Sequence, residues 1–305
     1  MSTVTKPESP SLPESPSLPE RSWARRVSSR LHRRPRVRLA MLLSAPMLWL
    51  VLVYLAALAA MFVTAFWTVD TFTGEVIRNW TLENFATLWK EDVYRVVTGR
   101  TIAVAASVTV IDAVVALPIA FFMAKVARPR TAKVLVVAIL MPLWASYLVK
   151  AYAWRVIVGE NGVMESTFGA TPGFGLTATV ITLAYLWLPY MILPIYAGLE
   201  RLPDSMLEAS EDLGAGAGRT FRSVVFPLVV PAVFAGSIFT FSLSLGDYIA
   251  VEIVGGTSQL LGNVVYDNIG AANNLPFASA MATLSVLVML GYLAAVRRTG
   301  ALESI

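Results

Sequence analysis

Long apolar stretches separated by shorter charged segments form the dominant pattern of this chain. A helix that crosses the hydrocarbon core of a bilayer needs about 20 consecutive apolar residues. Stretches long enough to do so occur at six places: residues 39–67, 101–124, 134–154, 176–199, 224–249 and 275–296. The pattern therefore predicts an all-α integral membrane protein whose six transmembrane helices form one domain over residues 39–297.

The basic residues between the apolar stretches predict the orientation of the chain. Lys and Arg are preferentially retained on the cytoplasmic side of a membrane. If the N-terminus is cytoplasmic, the segments on that side carry eight, four, three and two basic residues, whereas the outer segments carry four, two and none. This asymmetry of 17 against 6 places both termini, including the short tail 298–305, and the 200–222 loop in the cytoplasm.

The first 38 residues are unlike the rest of the chain. They contain the hexapeptide ESPSLP twice, over residues 8–13 and 14–19, and eight arginines within residues 21–38. A Pro/Ser/Glu-rich segment buries too little apolar surface to fold, so a disordered cytoplasmic tail is predicted here. The arginines are expected to lie against anionic lipid headgroups of the bilayer, and nucleic-acid binding is the less favoured interpretation.

The composition argues against covalent chemistry within this chain. Of its 305 residues, 56% are hydrophobic and 14% are charged, and none is cysteine. The single histidine, His32, belongs to the arginine-rich tail. A Ser-His-Asp triad, a histidine metal site and a cysteine nucleophile are therefore excluded, and no Gly-x4-Gly-Lys-Ser/Thr phosphate-binding loop is present. We expect no catalytic residue, no metal and no cofactor in this chain.

The loop between the fourth and fifth apolar stretches carries a specific motif. It reads Glu208-Ala209-Ser210, three residues, Gly214, nine residues, and then Val-Val-Phe ending on Pro227. This resembles the EAA loop of ABC importer membrane subunits, which reads Glu-Ala-Ala, three residues, Gly, nine residues and Ile-x-Leu-Pro. The resemblance implies a type I ABC importer permease-like fold. It also implies that the loop docks onto a separate ATPase subunit, which would bind ATP and Mg²⁺.

The same loop carries local signals for a short surface helix. Ser205 and Glu208 have the spacing of a capping box, with Asp204 as a competing cap. Gly214 would permit the turn that ends the helix, since glycine tolerates left-handed backbone angles. A second helical run is expected to re-enter the membrane from about Thr220.

Two further segments resemble spermidine/putrescine permeases. Residues 142–154, PLWASYLVKAYAW, are similar to the third-span region of that family, with Lys150 in place of its usual arginine. Residues 244–248, SLGDY, resemble its Ser-Leu-Gly-Asp-Phe segment and are followed by the equivalent acidic and Gly-Gly positions in 252–256. The similarity covers roughly residues 40–297 and is greatest to the first of the two permeases in polyamine operons.

A polycationic substrate would require carboxylates and aromatic faces along its path. Side chains of these types near the outer ends of the third and fifth stretches are Trp144, Tyr147, Tyr152, Trp154, Asp247, Tyr248 and Glu252. Asp112, in the middle of the second stretch, is a separate candidate for the substrate path. Two other interpretations stay open: the aromatic residues could form an interfacial belt, and Asp247 could be a structural group at a helix end.

The resemblances imply a permease subunit in the bacterial inner membrane that forms half of a translocation pore. Its expected partners are ABC ATPase subunits, a second and related permease, and an extracytoplasmic solute-binding protein. The expected substrate is a polyamine. The alternatives are the same importer class acting on an opine, thiamine, ferric ion or an oxyanion, or an ion-coupled secondary carrier that would need no docking loop.

Overall fold

The computed structural model describes residues 35–70 and 72–298, so most of the predicted tails over 1–38 and 298–305 lies outside the described residues. Residues 35–38, which were predicted to be disordered, are instead the first turn of a helix, and residue 298 is the last residue of another. The described structure is almost entirely helical, which confirms the prediction of an all-α membrane protein. The helices are α1 (Pro35–Thr64), α2 (Glu83–Lys90), α3 (Asp92–Phe121), α4 (Pro129–Trp144), α5 (Tyr147–Val158), α6 (Val163–Phe168), α7 (Leu176–Glu200), α8 (Asp204–Asp212), α9 (Ala217–Thr220), α10 (Phe226–Leu245), α11 (Ile249–Val254), α12 (Leu261–Ile269) and α13 (Leu275–Arg298).

The chain divides into two units after Ala59. In the first unit, all of the described residues, 35–59, belong to helix α1, which continues through Pro46 without ending. The apolar run Pro46–Thr64 of this helix is long enough to cross a membrane. The second unit begins at Ala60 and holds all the other elements.

Helices α3, α7 and α10 pack against one another at the centre of the second unit. Apolar side chains from all three are buried together, among them Ala116, Ile192 and Val229. The close approach of α10 to α7 requires a glycine at position 236. A Cβ atom there would lie 2.7 Å from the sulfur and 3.1 Å from the Cα atom of Met191.

The third predicted span, residues 134–154, is not one continuous helix. Helix α4 ends at Trp144, Ala145 and Ser146 have extended backbones, and α5 leaves at an angle of 95°. Pro142, two residues before this end, has no N–H to donate to the preceding turn, which weakens the helix close to the break. The length of the apolar stretch did not predict this break, because apolar length says nothing about the direction of the backbone. The described residues contain five continuous candidate spans, or six if the bent pair crosses as one.

The other predicted spans correspond to helices, although several boundaries move. The first candidate span covers Pro46–Thr64 instead of residues 39–67. The second candidate span begins at Asp92 instead of residue 101, and the fifth runs over Ala217–Leu245 instead of 224–249. The early start of α3 packs against other parts of the protein, because Val97 is buried with Leu88 and Phe277 and the ring of Tyr94 lies 5.0 Å from that of Phe277. A polar first turn can thus remain helical without entering lipid.

Two wide, π-helical turns occur next to the motif-bearing loop. One, Phe122–Val126, extends the end of α3, and the other, Phe221–Val225, leads into α10. Phe121 and Phe221 meet edge-on with ring centroids 6.2 Å apart, so the two turns lie beside each other. Such turns are rare and are often found at functional positions.

A small polar cap covers the other end of the helices, between α1 and α3. It contains the antiparallel hairpin of β1 (Thr68–Val69) and β2 (Val76–Ile77), followed by α2. The side-chain amide of Asn84 fastens α2 to the preceding segment by donating hydrogen bonds to the carbonyls of Ala65 and Trp67, both at 2.8 Å.

Candidate functional site

The motif-bearing loop forms the short helix α8, as predicted. Leu207 faces the protein and packs against the buried cluster formed by α3, α7 and α10. Glu208 and Ala209 are exposed, as is Met206, and Leu213 just beyond the helix is 88% exposed. The helix therefore presents an apolar strip and a carboxylate on its outer side.

The predicted capping box at the start of α8 is wrong. Ser205 lies inside the helix, and no side chain caps its first turn, which follows Pro203. The carboxylate of Asp204 is instead turned towards Lys125 in the π-helical turn after α3, with 2.7 Å between Nζ and Oδ1. The start of α8 is therefore held by a contact with Lys125, far away along the chain, and not by a local cap. The spacing of residues in the sequence does not reveal such a contact.

The end of α8 follows the prediction more closely. Gly214 has a φ of +76°, a left-handed angle that side chains resist, and its N–H donates to the Glu211 carbonyl at 2.8 Å. The Ser210 and Thr220 hydroxyls are 2.9 Å apart and join α8 to the second helical run. That run begins at Ala217, slightly earlier than predicted, and the motif proline, Pro227, is the second residue of α10.

Asp247 lies at the start of the short helix α11, on the side of the protein away from α8. Its carboxylate is buried, with one oxygen accepting a 2.9 Å hydrogen bond from the N–H of Ala250 and the other accepting one from the Tyr147 hydroxyl. Gly262 passes close by, because a Cβ there would lie 2.8 Å from the Asp247 carbonyl oxygen. The structure thus shows Asp247 as a helix-end group, and a substrate role for it stays a prediction.

The four candidate aromatic residues of the third span do not form one group. The break after Trp144 leaves that side chain 91% exposed, and Tyr152 on α5 is also exposed. Tyr147 and Trp154 lie on the opposite face of α5, where Trp154 contacts the ring of Tyr185 at 5.3 Å. The inner pair therefore contacts α7, whereas the outer pair is exposed.

Tyr248 and Glu252 are held by α12. The ring of Tyr248 stacks on Tyr266 at 4.8 Å, and the side-chain amide of Asn263 donates 3.2 Å hydrogen bonds to the Tyr248 carbonyl and the Glu252 carboxylate. Glu252 remains exposed, so its charge faces outwards next to the Asp247 site.

An aromatic row that the sequence did not single out adjoins Asp247. Tyr147 stacks on Trp187 with centroids 5.8 Å apart, Trp187 contacts Tyr190 at 5.9 Å, and Tyr190 stacks on Phe239 at 6.3 Å. Trp187 and Tyr190 are three residues apart and share a face of α7. This spacing could have indicated from the sequence that the two rings are neighbours. Their partner rings on α5 and α10 could not be identified without the three-dimensional structure.

Asp112 is buried in the centre of the second unit, only 1% exposed on α3. Within the part of the chain that the structure describes, neither carboxylate oxygen has a hydrogen-bond partner, and the same holds for Nε1 of Trp187 and the hydroxyl of Ser244. The structure does not bring Asp112 into contact with Asp247. The two carboxylates are therefore separate candidates.

These features define the membrane-embedded permease subunit of an ABC importer: apolar helices of spanning length, and a short exposed helix that carries the EAA-type motif and ends at Gly214. The sequence pattern of the family described as binding-protein-dependent transport system inner membrane component matches residues 22–300. The chain belongs to this family and is a multi-pass inner-membrane protein.

Similar proteins are also permeases. The chain is 38% identical over 299 residues to the inner membrane ABC transporter permease protein YdcU of Escherichia coli (strain K12), covering 92% of this chain and 95% of the relative. It is 31% identical over 220 residues to the spermidine/putrescine transport system permease protein PotB of Haemophilus influenzae, covering 69% and 76%.

Two solved structures share the fold. A bacterial ABC transporter involved in the import of the acidic polysaccharide alginate matches with a TM-score of 0.65 at 13% identity, covering 90% of this chain and 99% of the matched one. The MetNI methionine ABC transporter in inward-facing conformations matches with a TM-score of 0.53 at 17% identity, covering 68% and 97%. At these identities the likeness concerns the fold alone.

Proposed function

We propose that this chain forms half of the pore of an ATP-driven polyamine importer and that α8, with the turn at Gly214, docks onto a separate ATPase subunit. The observation that carries the docking role is the outer face of α8. Met206 and Leu213 are exposed apolar side chains beside the exposed Glu208, and an apolar strip with a nearby charge suits a protein interface.

Two observations support a polyamine as the substrate: the side chains near Asp247 and the similarity to a spermidine/putrescine permease. Asp247 is a carboxylate directly beside the aromatic row that begins at Tyr147 and Trp187, and cationic amines are attracted both to carboxylates and to aromatic faces. The spermidine/putrescine permease PotB is among the relatives that cover more than two thirds of the chain. Glu252 adds an exposed negative charge at the same end of the protein.

The proposed assembly contains three further kinds of protein. A second, related permease would complete the pore, ATPase subunits would bind the α8 side and supply ATP hydrolysis with Mg²⁺, and an extracytoplasmic solute-binding protein would deliver substrate. In this arrangement ATP is consumed by the partner and the chain itself acts as a membrane subunit.

Uptake of labelled spermidine and putrescine tests the substrate. Cells with and without this chain are compared, with and without ATP depletion, in a strain that lacks other polyamine uptake. The expected result is ATP-dependent uptake that is lost with the chain. Unchanged uptake would overturn the polyamine assignment while leaving the importer class intact.

A matched pair of glycine variants tests the docking role. Gly214→Asp and Gly169→Asp impose similar backbone strain, since their φ angles are +76° and +72° and neither Cβ position has a neighbour within 4 Å. Gly214 follows α8, whereas Gly169 follows α6 in a predicted outer loop. We expect Gly214→Asp and Glu208→Arg to abolish uptake in inserted protein and Gly169→Asp to retain it. Equal uptake by Gly214→Asp and wild type would contradict the docking role.

The second candidate is the same kind of importer with a different solute. A molybdenum transport permease, ModB of Haemophilus influenzae, is 29% identical over 56% of this chain, so related permeases act on chemically unlike substrates. An opine, thiamine, ferric ion or an oxyanion would then be the alternative. Competition of each against labelled polyamine uptake separates the two candidates.

A further inference from the structure

A buried lysine connects the docking helix to the end of α3. Lys125 lies in the π-helical turn Phe122–Val126, and its side chain is only 8% exposed. Its ammonium group donates a 2.6 Å hydrogen bond to the backbone carbonyl of Leu202 and lies 2.7 Å from the carboxylate of Asp204. These two acceptors flank Pro203, directly before α8.

The surroundings make this placement unusual for a lysine. Met123, in the same turn, and Leu202 are both buried in the apolar cluster at the centre of the second unit. Lysine is rarely buried unless its charge is paired and its protons are donated. Here two of the three ammonium protons have acceptors at short distances. The ammonium group therefore holds the chain in place just before α8.

The two acceptors are not equivalent. The side chain of Asp204 is 76% exposed, so water and salt weaken its attraction to the ammonium. Leu202 is 7% exposed, and a hydrogen bond from a charged donor to a buried carbonyl is screened far less. The contact with the Leu202 carbonyl is thus the stronger mechanical link.

The link completes a pair of attachments on α8. At its far end the hydroxyls of Ser210 and Thr220, 2.9 Å apart, join α8 to the run that enters α10. At its near end Lys125 links the end of α3 to Asp204, the first residue of α8, and to the Leu202 carbonyl just before it. Both ends of α8 are therefore attached to elements that lead into α3 and α10, the helices that pack with α7 at the centre of the unit.

We propose that Lys125 is a positioning residue that transmits movement of the docking helix α8 to α3 through the Leu202 carbonyl, with the Asp204 ion pair as a minor contributor. This inference rests on the proposed function, because it assumes that an ATPase moves α8. Lys125 itself touches neither the exposed strip of α8 nor Asp247, so its loss should uncouple hydrolysis from uptake without preventing assembly.

The test compares Lys125→Met, Lys125→Arg and Asp204→Asn in the assembled importer. Polyamine uptake, ATP hydrolysis and the amount of ATPase retained on purification are measured for each. Lys125→Met keeps the length and apolar stem of the side chain but removes its donors. We expect uptake per ATP hydrolysed to fall about 2- to 30-fold in Lys125→Met, the range of single-residue effects on coupling between sites. Asp204→Asn should stay within about twofold of wild type, since exposed ion pairs contribute little, and Lys125→Arg should restore most of the coupling.

Three outcomes would overturn this inference. If Lys125→Met loses ATPase retention or thermal stability in parallel with uptake, its role is structural only. If Asp204→Asn is as defective as Lys125→Met, the ion pair and not the carbonyl contact is the link. If Lys125→Met transports normally while Gly214→Asp does not, the positioning role fails and the docking function stands. Normal uptake by Gly214→Asp would instead remove the docking function itself.

Discussion

The hydroxyl of Tyr147 donates a hydrogen bond to the carboxylate of Asp247, across 100 residues of chain. Tyr147 is the first residue of α5, immediately after the break in the third span, and Asp247 precedes α11. The contact therefore fixes the direction in which the chain leaves the break. It also places the carboxylate beside the ring of Trp187, which stacks on Tyr147.

We expect Tyr147→Phe to weaken both the fold and transport. The change removes the donor but keeps the ring, so a buried carboxylate oxygen loses its partner at a cost of about 1–3 kcal/mol in the free energy of unfolding. Thermal unfolding of the purified complex and uptake in cells measure the two effects. Tyr152→Phe is the control, because the exposed Tyr152 lies on the same helix and should tolerate the loss of its hydroxyl. Equal behaviour of both variants would show that the Tyr147 contact contributes nothing.

Substitutions of Asp247 separate its structural role from a charge role. Asn retains an oxygen that can accept from the N–H of Ala250, whereas Ala retains none. If the charge attracts a polycation, Asp247→Asn should insert normally and lose most uptake. Asp247→Ala should in addition lower the free energy of unfolding by at least about 1–3 kcal/mol, because it removes the acceptor of both the Ala250 N–H and the Tyr147 hydroxyl. Near-normal uptake by Asp247→Asn would leave Asp247 as a helix-end group only. Immunoblotting of membranes supplies the control for insertion.

Asp112→Asn is expected to be at least as thermally stable as the wild type. Removing an ionisable group that is buried without a partner among the described residues relieves part of its desolvation cost, while the shape of the side chain is kept. The midpoint of thermal unfolding in detergent is the measurement, with uptake recorded across pH. A lower midpoint would mean that the carboxylate has a partner in the assembled importer, and unchanged uptake at every pH would rule out a charge role.

Gly236→Ala should damage the contact between α7 and α10. The added methyl group would lie 2.7 Å from the sulfur and 3.1 Å from the Cα atom of Met191, and backbone cannot move aside as a side-chain end can. Overpacking of this kind typically costs about 1–3 kcal/mol. Gly291→Ala is the matched control, since it adds the same methyl group to another apolar helix, α13, with no neighbour within 4 Å. Comparable thermal unfolding of both variants would refute the close contact.

The sequence was sufficient where a property is local or repeats along the chain. Apolar length located the candidate spans, and the spacing of Glu208, Gly214 and Pro227 located α8 and its turn. The left-handed turn at Gly214 could be predicted because only glycine adopts that angle without strain. Each of these inferences needs no knowledge of which helices are neighbours.

What the sequence could not reveal depends on contacts between distant segments. Lys125 was counted only as one of the basic residues that indicate orientation, yet it replaces the predicted cap of α8 by contacting residues 77 and 79 positions away. In the same way, Tyr147 and Trp144 look equivalent in a string of aromatic residues. Because the helix breaks between them, Tyr147 contacts Asp247 whereas Trp144 is exposed.

The broken third span also has a consequence for the surrounding lipid. Helix α4 contains 16 residues, so at the helical rise of 1.5 Å it is about 24 Å long, whereas a bilayer core is about 30 Å thick. A helix shorter than the core is accommodated by local thinning of the bilayer or by association with another protein. The thickness of the membrane around α4 should therefore affect the stability of this protein. Lipids with shorter acyl chains should stabilise the isolated subunit.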